Sequence, residues 1–242
     1  MTAEAASALR FMTTLPVARA GPVAPASSGR VFYPAVGVLV GALAWGAFWL
    51  GSTVASAGVG AFLAVAALVL VTGALHLDGL SDCADGLFGG STVERRLEIM
   101  RDSRAGAFGV VAVVLVLAGD LVALGELTRE EALAALIAAG ALGRVAILAL
   151  VATLAYVRPT GLGQGLGGAG ARRDLAVGAL VAAAAIALDW RHGLLAAGLV
   201  ALVTWGLGAF ARRRVGGATG DVYGAAVELS QVVALGAYTV RL

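Results

Sequence analysis

The stretch AFLAVAALVLVTGALHLDGLSDCADG occupies residues 61–86 and joins an unbroken apolar run to a segment with one histidine and three aspartates. Asp78, Asp82 and Asp85 follow each other at intervals of four and three residues. On a continuous helix this spacing places the three carboxylates on one face within about two turns. Three negative charges on one face repel each other, so the pattern predicts a positively charged ligand between them.

The composition around this stretch indicates an integral membrane protein. Of the 242 residues, 60% are hydrophobic and 13% are charged, and the mean hydropathy is +0.93, whereas soluble domains carry about 25% charged residues. About 20 apolar residues are needed to cross the hydrocarbon core of a bilayer. We therefore predict an all-α fold of about seven transmembrane helices, forming a single polytopic membrane domain over residues 1–242. The predicted spans are 31–56, 58–77, 107–125, 131–156, 174–189, 192–211 and 221–240.

The arginine distribution predicts the orientation, because short cytoplasmic loops are enriched in Lys and Arg. The chain has no lysine, and thirteen of its seventeen arginines fall in the N-terminal arm and in the loops after spans two, four and six. Only three fall in the other loops and at the C-terminus. This asymmetry predicts a multi-pass protein of a bacterial or archaeal cytoplasmic membrane, with its N-terminus cytoplasmic and its C-terminus outside. The N-terminal residues show no cleavable signal pattern, and the net charge of +2 does not indicate a nucleic-acid partner.

The orientation gathers the polar segments on the cytoplasmic side, where they can build one site. Asp78, Asp82 and Asp85 are candidate metal ligands, because Mg²⁺ prefers oxygen ligands and commonly bridges protein carboxylates to substrate phosphates. The alternative is a helix end with solvated acids. For His76, a structural role and a functional role fit the sequence equally well.

The segment RDSR at 101–104 adds further candidates. Taken alone, it fits an interfacial network of ion pairs. Beside a metal site, Arg101 and Arg104 can bind phosphate oxygens through their planar guanidinium groups. Asp102 is then a candidate to complete the metal site.

Two glycine-rich segments, GLGQGLGG at 161–168 and GGATGD at 216–221, lie on the same predicted side. They serve either as tight turns or as an anion-binding cradle of backbone N–H groups next to a helix N-terminus. Asp221 and Glu228 lie on one face of the last span, and an ionisable residue within a membrane is usually functional. The alternative for Glu228 is a packing role. The candidate anion-binding glycines are Gly161, Gly163, Gly216, Gly217 and Gly220.

Three other residues are given structural roles. Asp120 and Arg144 fall inside spans three and four, and buried charges in lipid need partners. We predict an ion pair between them. Cys83, the one cysteine in the chain, is interpreted as a small packing residue.

Five segments resemble, in order and spacing, the cobalamin synthase family, the adenosylcobinamide-GDP ribazoletransferases. One departure is Gln231, where the family pattern leads us to expect an acid. The segments are FYPAVG (32–37), HLDGLSDCADGLFGG (76–90), MRDSRAGAFG (100–109), RPTGLG (158–163) and GGATGDVYGAAVEL (216–229).

The resemblance implies a magnesium-dependent membrane transferase. Its substrates would be adenosylcobinamide-GDP and alpha-ribazole, or the 5′-phosphate of alpha-ribazole, with GMP as the leaving group. A ribose hydroxyl would attack the phosphorus attached to the corrinoid side arm. The carboxylate-bound metal would bridge the two phosphates, while Arg101 and Arg104 hold phosphate oxygens. The general base is left open, as is a homo-oligomeric state. The candidate catalytic residues are His76, Asp85, Arg101, Asp102, Arg104, Asp221 and Glu228.

Two other function classes remain open at this point. A secondary transporter would also place acids within the membrane, although no internal repeat of the HLDGLSDCADG segment is evident. A membrane prenyltransferase would also use aspartates and Mg²⁺, although it usually needs a second Asp-rich loop. The DCADG core is also similar to the beginning of the CDP-alcohol phosphotransferase motif, which suggests analogous chemistry without implying the same fold.

Overall fold

The computed structural model describes residues 2–17, 26–161 and 163–242. Within these ranges the chain is helical apart from its connecting loops, and these contain an isolated parallel bridge between Tyr156 and Ala218. Two short 3-10 helices cover Ala26–Phe32 and Ala187–Asp189. The α-helices are α1 (Ala3–Met12), α2 (Tyr33–Val54), α3 (Ala57–Thr72), α4 (Leu75–Gly89), α5 (Val93–Ile99), α6 (Ala107–Gly125), α7 (Arg129–Thr153), α8 (Ala171–Ile186), α9 (Trp190–Val215) and α10 (Gly220–Ala237).

Polar caps define where several apolar helices begin. The Ser56 side chain accepts a hydrogen bond from the Val59 N–H at the start of α3. Thr128 and Glu131 form a reciprocal capping box at the start of α7, and Thr219 caps α10. Such caps satisfy backbone N–H groups that have no partner within the helix.

The described residues contain four helical stretches that are long and apolar enough to cross a membrane. A fifth candidate is the pair α3 and α4, which is bent by 87° at its junction. The structure is therefore that of an all-helical, multi-span membrane protein, while the predicted count of seven crossings remains a prediction. The four stretches are Gly29–Val54, Ala107–Gly125, Arg129–Thr153 and Ala171–Val215.

The long stretch Ala171–Val215 reverses its direction half-way. Gly178 in α8 packs against Leu148 in the second half of α7, and Gly208 in α9 packs against Leu150 nearby. His192 lies between these two glycines in the sequence, and it is close enough to Glu131, at the beginning of α7, to interact with it electrostatically. Hence α8 and α9 run in opposite directions along α7. In the most apolar part of α7, 83% of the residues are buried. This helix therefore forms the centre of the bundle.

The bend between α3 and α4 differs from the prediction of a straight span over 58–77. Gly73 and Ala74 both adopt left-handed backbone conformations, with φ of 61° and 57°. This ends α3 and turns the chain by 87° before α4 begins. Thr14 holds the end of α3, because its backbone N–H donates to the Val71 carbonyl at 2.8 Å. As a result, the acidic segment belongs to a separate helix that packs against α6 and α10.

Candidate active site

A cavity of about 330 Å³ lies where α4, α10 and the loop after α7 meet. It brings together the predicted segments HLDGLSD, RPTGLG and the start of α10. The N-terminal helix also contributes, through Phe11 and Met12, and Tyr33 contributes from α2. The sequence thus predicted most of the segments that meet here but missed the participation of α1.

The acidic wall of the cavity consists of Asp78, Asp82 and Asp221. Asp78 and Asp82 lie one helical turn apart on α4, and Asp82 interacts electrostatically with both other carboxylates. Asp221 joins them because α4 and α10 approach closely at Gly79 and Gly224. A Cβ atom on Gly79 would come within 3.1 Å of the Gly224 Cα atom. Glycine at this crossing therefore permits the contact that places Asp221 in the cavity.

Arg158 balances part of this negative charge. Its Nη2 atom lies 2.5 Å from Oδ2 of Asp221, and both side chains are largely buried, with 9% and 16% exposed. The Thr219 hydroxyl donates to the same carboxylate oxygen at 3.2 Å. Arg158 also interacts electrostatically with Asp82. A second guanidinium group comes from Arg101, which lines the cavity.

Asp85 does not join the other two aspartates of α4. Its Oδ2 atom accepts a hydrogen bond from the Gly106 N–H at 2.6 Å, and its Oδ1 atom accepts one from the Gly109 N–H at 2.9 Å. Asp85 thus caps the beginning of α6, and it does not line the cavity. Within the described ranges, no group of three His, Cys, Asp or Glu side chains is arranged to hold a metal ion. The structure therefore does not assemble the predicted set of Asp78, Asp82 and Asp85 in one cavity, because both oxygens of Asp85 accept hydrogen bonds from the start of α6. The metal site itself stays a prediction.

Within the segment RDSR, one arginine lies at the cavity and the other lies at the protein surface. Arg101 lines the cavity, whereas Arg104 forms a two-pronged hydrogen-bonded ion pair with Asp102, with distances of 3.0 and 2.7 Å. The Arg104 side chain is 86% exposed. Hydrogen bonds from the Arg104 side chain and backbone lower the pKa of Asp102 to about 2. Asp102 is consequently a weak base, and neither residue lines the cavity.

The five candidate glycines fall into two groups: some line the cavity, and the others shape a turn. Gly161, Gly163 and Gly220 line the cavity. Gly216 instead ends α9 in a left-handed conformation with a φ of 86°. Gly217 packs against Ala155, where there is no room for a side chain. Three of the five glycines therefore lie at the cavity, and two shape the turn between α9 and α10.

His76 and Glu228 lie at different depths. His76 lines the cavity, and its Nδ1 atom is buried without a hydrogen-bond partner among the described residues. Glu228 instead borders a separate small cavity deeper in the bundle, together with Asp120, Arg144 and Gln231. The structure thus does not bring Glu228 into the candidate active site.

The deeper cluster corrects the predicted pair of Asp120 and Arg144. Asp120 accepts a hydrogen bond from the Gln231 side-chain amide at 2.6 Å. Arg144 interacts electrostatically with Glu228 instead. Gln231, which departs from the expected acid, therefore supplies a donor to a buried carboxylate, where an acid would add a second negative charge.

Comparison with known proteins identifies the family of the chain. The family model of CobS, cobalamin-5-phosphate synthase, matches residues 4–239. The chain belongs to this family. A relative from Klebsiella pneumoniae, named adenosylcobinamide-GDP ribazoletransferase, is 38% identical over 95% of this chain and 96% of its own length. Relatives with the same name are 44% identical in Stutzerimonas stutzeri, over 94% of both chains, and 37% identical in Escherichia coli, over 94% of this chain and 95% of its own. No solved structure shows a significant match.

Membership of the CobS family confirms the resemblance inferred from the motifs. It favours the transferase interpretation over the transporter and prenyltransferase alternatives. The relatives match nearly the whole chain, so the family extends across all the segments that form the cavity.

Sequence reasoning missed two groups of residues. Arg158, Tyr156 and Tyr223 line the cavity but were not among the candidate site residues. The position of Arg158 at the start of RPTGLG was the available signal. Tyr223 likewise lies within GGATGDVYGAAVEL, close to the predicted site residue Asp221.

The second missed feature is a buried clamp formed by Arg30. Its Nε atom lies 2.6 Å from Oδ2 of Asp174, at the start of α8. The guanidinium also donates to the carbonyl oxygens of Leu166 and Gly167, and to that of Ala169 at 2.6 Å. Arg30 thereby fixes the glycine-rich loop that contributes Gly161 and Gly163 to the cavity. In the sequence, this arginine contributed only to the prediction of orientation.

Proposed function

We propose that the chain joins adenosylcobinamide-GDP to alpha-ribazole, or to the 5′-phosphate of alpha-ribazole, with release of GMP. The observation that carries the proposal is the cavity itself, in which two carboxylates of HLDGLSD face Arg101, Arg158 and Asp221. This combination suits a diphosphate substrate, because its chemistry depends on neutralising phosphate charge and orienting a hydroxyl group.

Asp78 and Asp82 are the residues that fit a magnesium ion. They lie on adjacent turns of α4 and line the same cavity. Mg²⁺ is commonly bound by one or two carboxylates together with substrate phosphates, so a third protein ligand is not required. When bound, the ion would neutralise phosphate charge and stabilise the GMP leaving group.

The arginines and glycines would position the diphosphate. Arg101 would bind phosphate oxygens, and Arg158 would do so while remaining paired with Asp221. Backbone N–H groups of the loop at Gly161 and Gly163 and of the α10 N-terminus at Gly220 would supply further donors. Arg158 is held in place before substrate arrives by its ion pair with Asp221, and such preorganisation is a major source of electrostatic catalysis.

We propose His76 or Asp221 as the general base. Asp85 uses both oxygens to cap α6, and Asp102 is an exposed, weakly basic partner of Arg104. His76 and Asp221 line the cavity, where a general base must reach the attacking ribose hydroxyl. A pH–rate profile of His76→Gln and Asp221→Asn distinguishes them, because the variant lacking the base loses the fall in rate that the wild type shows at low pH, where the base is protonated.

We further propose seven membrane crossings, formed by α2, the bent pair α3–α4, α6, α7, α8, α9 and α10. The reversal between α8 and α9 supports counting the stretch Ala171–Val215 as two crossings. The excess of arginine on one side supports a cytoplasmic location for the cavity and the N-terminus, in the cytoplasmic membrane of a bacterium. The ribose and nucleotide substrates would then be taken directly from the cytoplasm.

The direct test incubates the purified, reconstituted protein with adenosylcobinamide-GDP, alpha-ribazole and Mg²⁺. We expect a complete corrinoid and one equivalent of GMP. Parallel reactions with the 5′-phosphate of alpha-ribazole identify the better acceptor, and EDTA should abolish product formation. Absence of a joined corrinoid with both acceptors, in protein that is folded and saturated with Mg²⁺, would refute the proposed function.

A further inference from the structure

A second and larger concavity lies along α7, apart from the candidate active site. This groove has a volume of about 940 Å³, with α7 as its floor and α8 and α9 as its walls. Its lining is mainly alanine, valine and leucine, with Trp205 at the outer edge, where 72% of the side chain is exposed. None of its lining residues is shared with the active-site cavity.

The groove arises because α8 and α9 diverge from their junction. At the narrow end, Gly193 packs directly against the backbone of Ile186. At the wide end, the two helices are attached to different partners. Asp174 of α8 pairs with Arg30, whereas Arg214 of α9 donates to the Leu87 carbonyl at 3.0 Å.

The wide end of the groove carries two exposed positive charges. Arg212 and Arg213 line it, and both are exposed. Among the described residues, neither forms an ion pair or a side-chain hydrogen bond, in contrast to the neighbouring Arg214. The groove therefore combines an apolar interior at membrane depth with two exposed guanidinium groups at one end. We expect this end to lie on the same side of the membrane as the candidate active site.

We propose that this groove binds an anionic phospholipid. The acyl chains would lie between α8 and α9, and the phosphate would bind Arg212 and Arg213. Basic clusters at the edges of transmembrane helices recognise anionic headgroups, while guanidinium groups bind phosphate oxygens bidentately. A second copy of the chain suits the groove less well, because copies packed symmetrically in one membrane share their orientation and bring the same unpaired arginines towards each other.

The test uses purified protein in nanodiscs with equal amounts of phosphatidylglycerol and phosphatidylcholine, followed by native mass spectrometry of retained lipid. Two arginines predict about a 30-fold preference for phosphatidylglycerol. The double variant Arg212→Gln/Arg213→Gln should lose this preference. The matched control Arg95→Gln/Arg172→Gln removes two exposed arginines outside the groove and should retain it.

A second variant tests the apolar part of the site without changing any charge. Ala201→Phe fills the groove, so we expect less retained phosphatidylglycerol although both arginines are present. Equal retention of the two lipids by the wild type, or an unchanged preference in the double variant, would overturn the proposal. Efficient disulfide cross-linking between two copies carrying Ala201→Cys would overturn it as well, by identifying a partner copy as the occupant.

Discussion

Arg158 and Asp221 form the buried ion pair of the candidate active site. The Nη2 atom of Arg158 lies 2.5 Å from the Asp221 carboxylate, and the guanidinium group borders the same cavity as Asp78 and Asp82. Arg104, in contrast, projects from the surface with Asp102. At the level of single residues, we therefore predict that Arg158 contacts the substrate phosphate and that Arg104 does not.

We predict that Arg158→Lys lowers the rate of GMP release by about 100-fold, whereas Arg104→Lys has a much smaller effect. Lysine preserves the charge but not the planar fork, and loss of one preorganised donor commonly costs about 100-fold or more in rate. Steady-state kinetics of both variants measure this difference. A larger loss in Arg104→Lys than in Arg158→Lys would show that the exposed loop closes over the substrate and carries the phosphate contact.

The aspartates of α4 show what the spacing of residues in the sequence can and cannot predict. Helical periodicity correctly suggested that Asp78 and Asp82 share a face, because the interval of four residues is a local property. It could not separate Asp85 from them, since the partners of Asp85 are backbone groups more than twenty residues further along the chain. Arg30 was missed for the same reason. Its contacts with Asp174 and the glycine-rich loop depend on tertiary packing.

At the level of secondary-structure elements, the contact between α4 and α10 brings two sequence motifs into one site. Gly79→Ala would place a Cβ atom within 3.1 Å of the Gly224 Cα atom and 3.2 Å of the Asp221 carbonyl oxygen. We predict a destabilisation of about 1–3 kcal/mol from this overpacking, together with loss of activity as Asp221 moves. Thermal unfolding in detergent measures the first effect, and GMP release measures the second.

The control for this variant is Gly198→Ala, at an exposed helical position where a new Cβ atom meets nothing within 4 Å. It should preserve activity and leave stability unchanged or slightly higher, because alanine favours helix over glycine. Equal behaviour of Gly79→Ala and Gly198→Ala would argue against close packing between α4 and α10.

The Arg30 clamp gives a prediction about the glycine-rich loop. Arg30→Lys retains the charge beside Asp174 but cannot reach all the carbonyl oxygens that the guanidinium contacts. We expect kcat/KM to fall by at least about tenfold, because misplacing a substrate-binding element is costly even far from the reacting atoms. The loop should also become more sensitive to proteolysis. Arg172→Lys, at a neighbouring exposed position, is the control, and equal proteolysis of the two variants would contradict the clamp.

Hydropathy predicted the apolar helices well but not the bend between α3 and α4. The apolar run gives no sign of its interruption, because the turn uses Gly73 and Ala74, and alanine rarely adopts a left-handed conformation. The helix α1 was also missed. It is short, and its role becomes visible only where Phe11 and Met12 reach the cavity. Local propensity cannot specify such contacts, since they depend on how the whole bundle is assembled.

For the whole molecule, the orientation in the membrane is the main prediction. In a Cys83→Ala background, Leu242→Cys should react with a membrane-impermeant maleimide added to intact cells, whereas Arg95→Cys should react only after the cells are permeabilised. Both positions are exposed, with 61% of Leu242 and 57% of the Arg95 side chain accessible. The opposite labelling pattern would reverse the proposed orientation, although the geometry of the cavity would be unaffected.

We propose that Asp78 and Asp82, and not Asp85, form the metal-binding wall of a diphosphate-transfer site. The most direct test is a magnesium titration of GMP release by Asp82→Asn, Asp85→Asn, the wild type and the distant control Glu130→Gln. We predict that Asp82→Asn loses about 100-fold or more in rate and needs more Mg²⁺ for half-maximal activity. Asp85→Asn should instead unfold at a lower temperature and keep the wild-type magnesium midpoint, since it weakens the cap of α6. A wild-type rate and midpoint in Asp82→Asn, or a shifted midpoint in Asp85→Asn alone, would contradict the account.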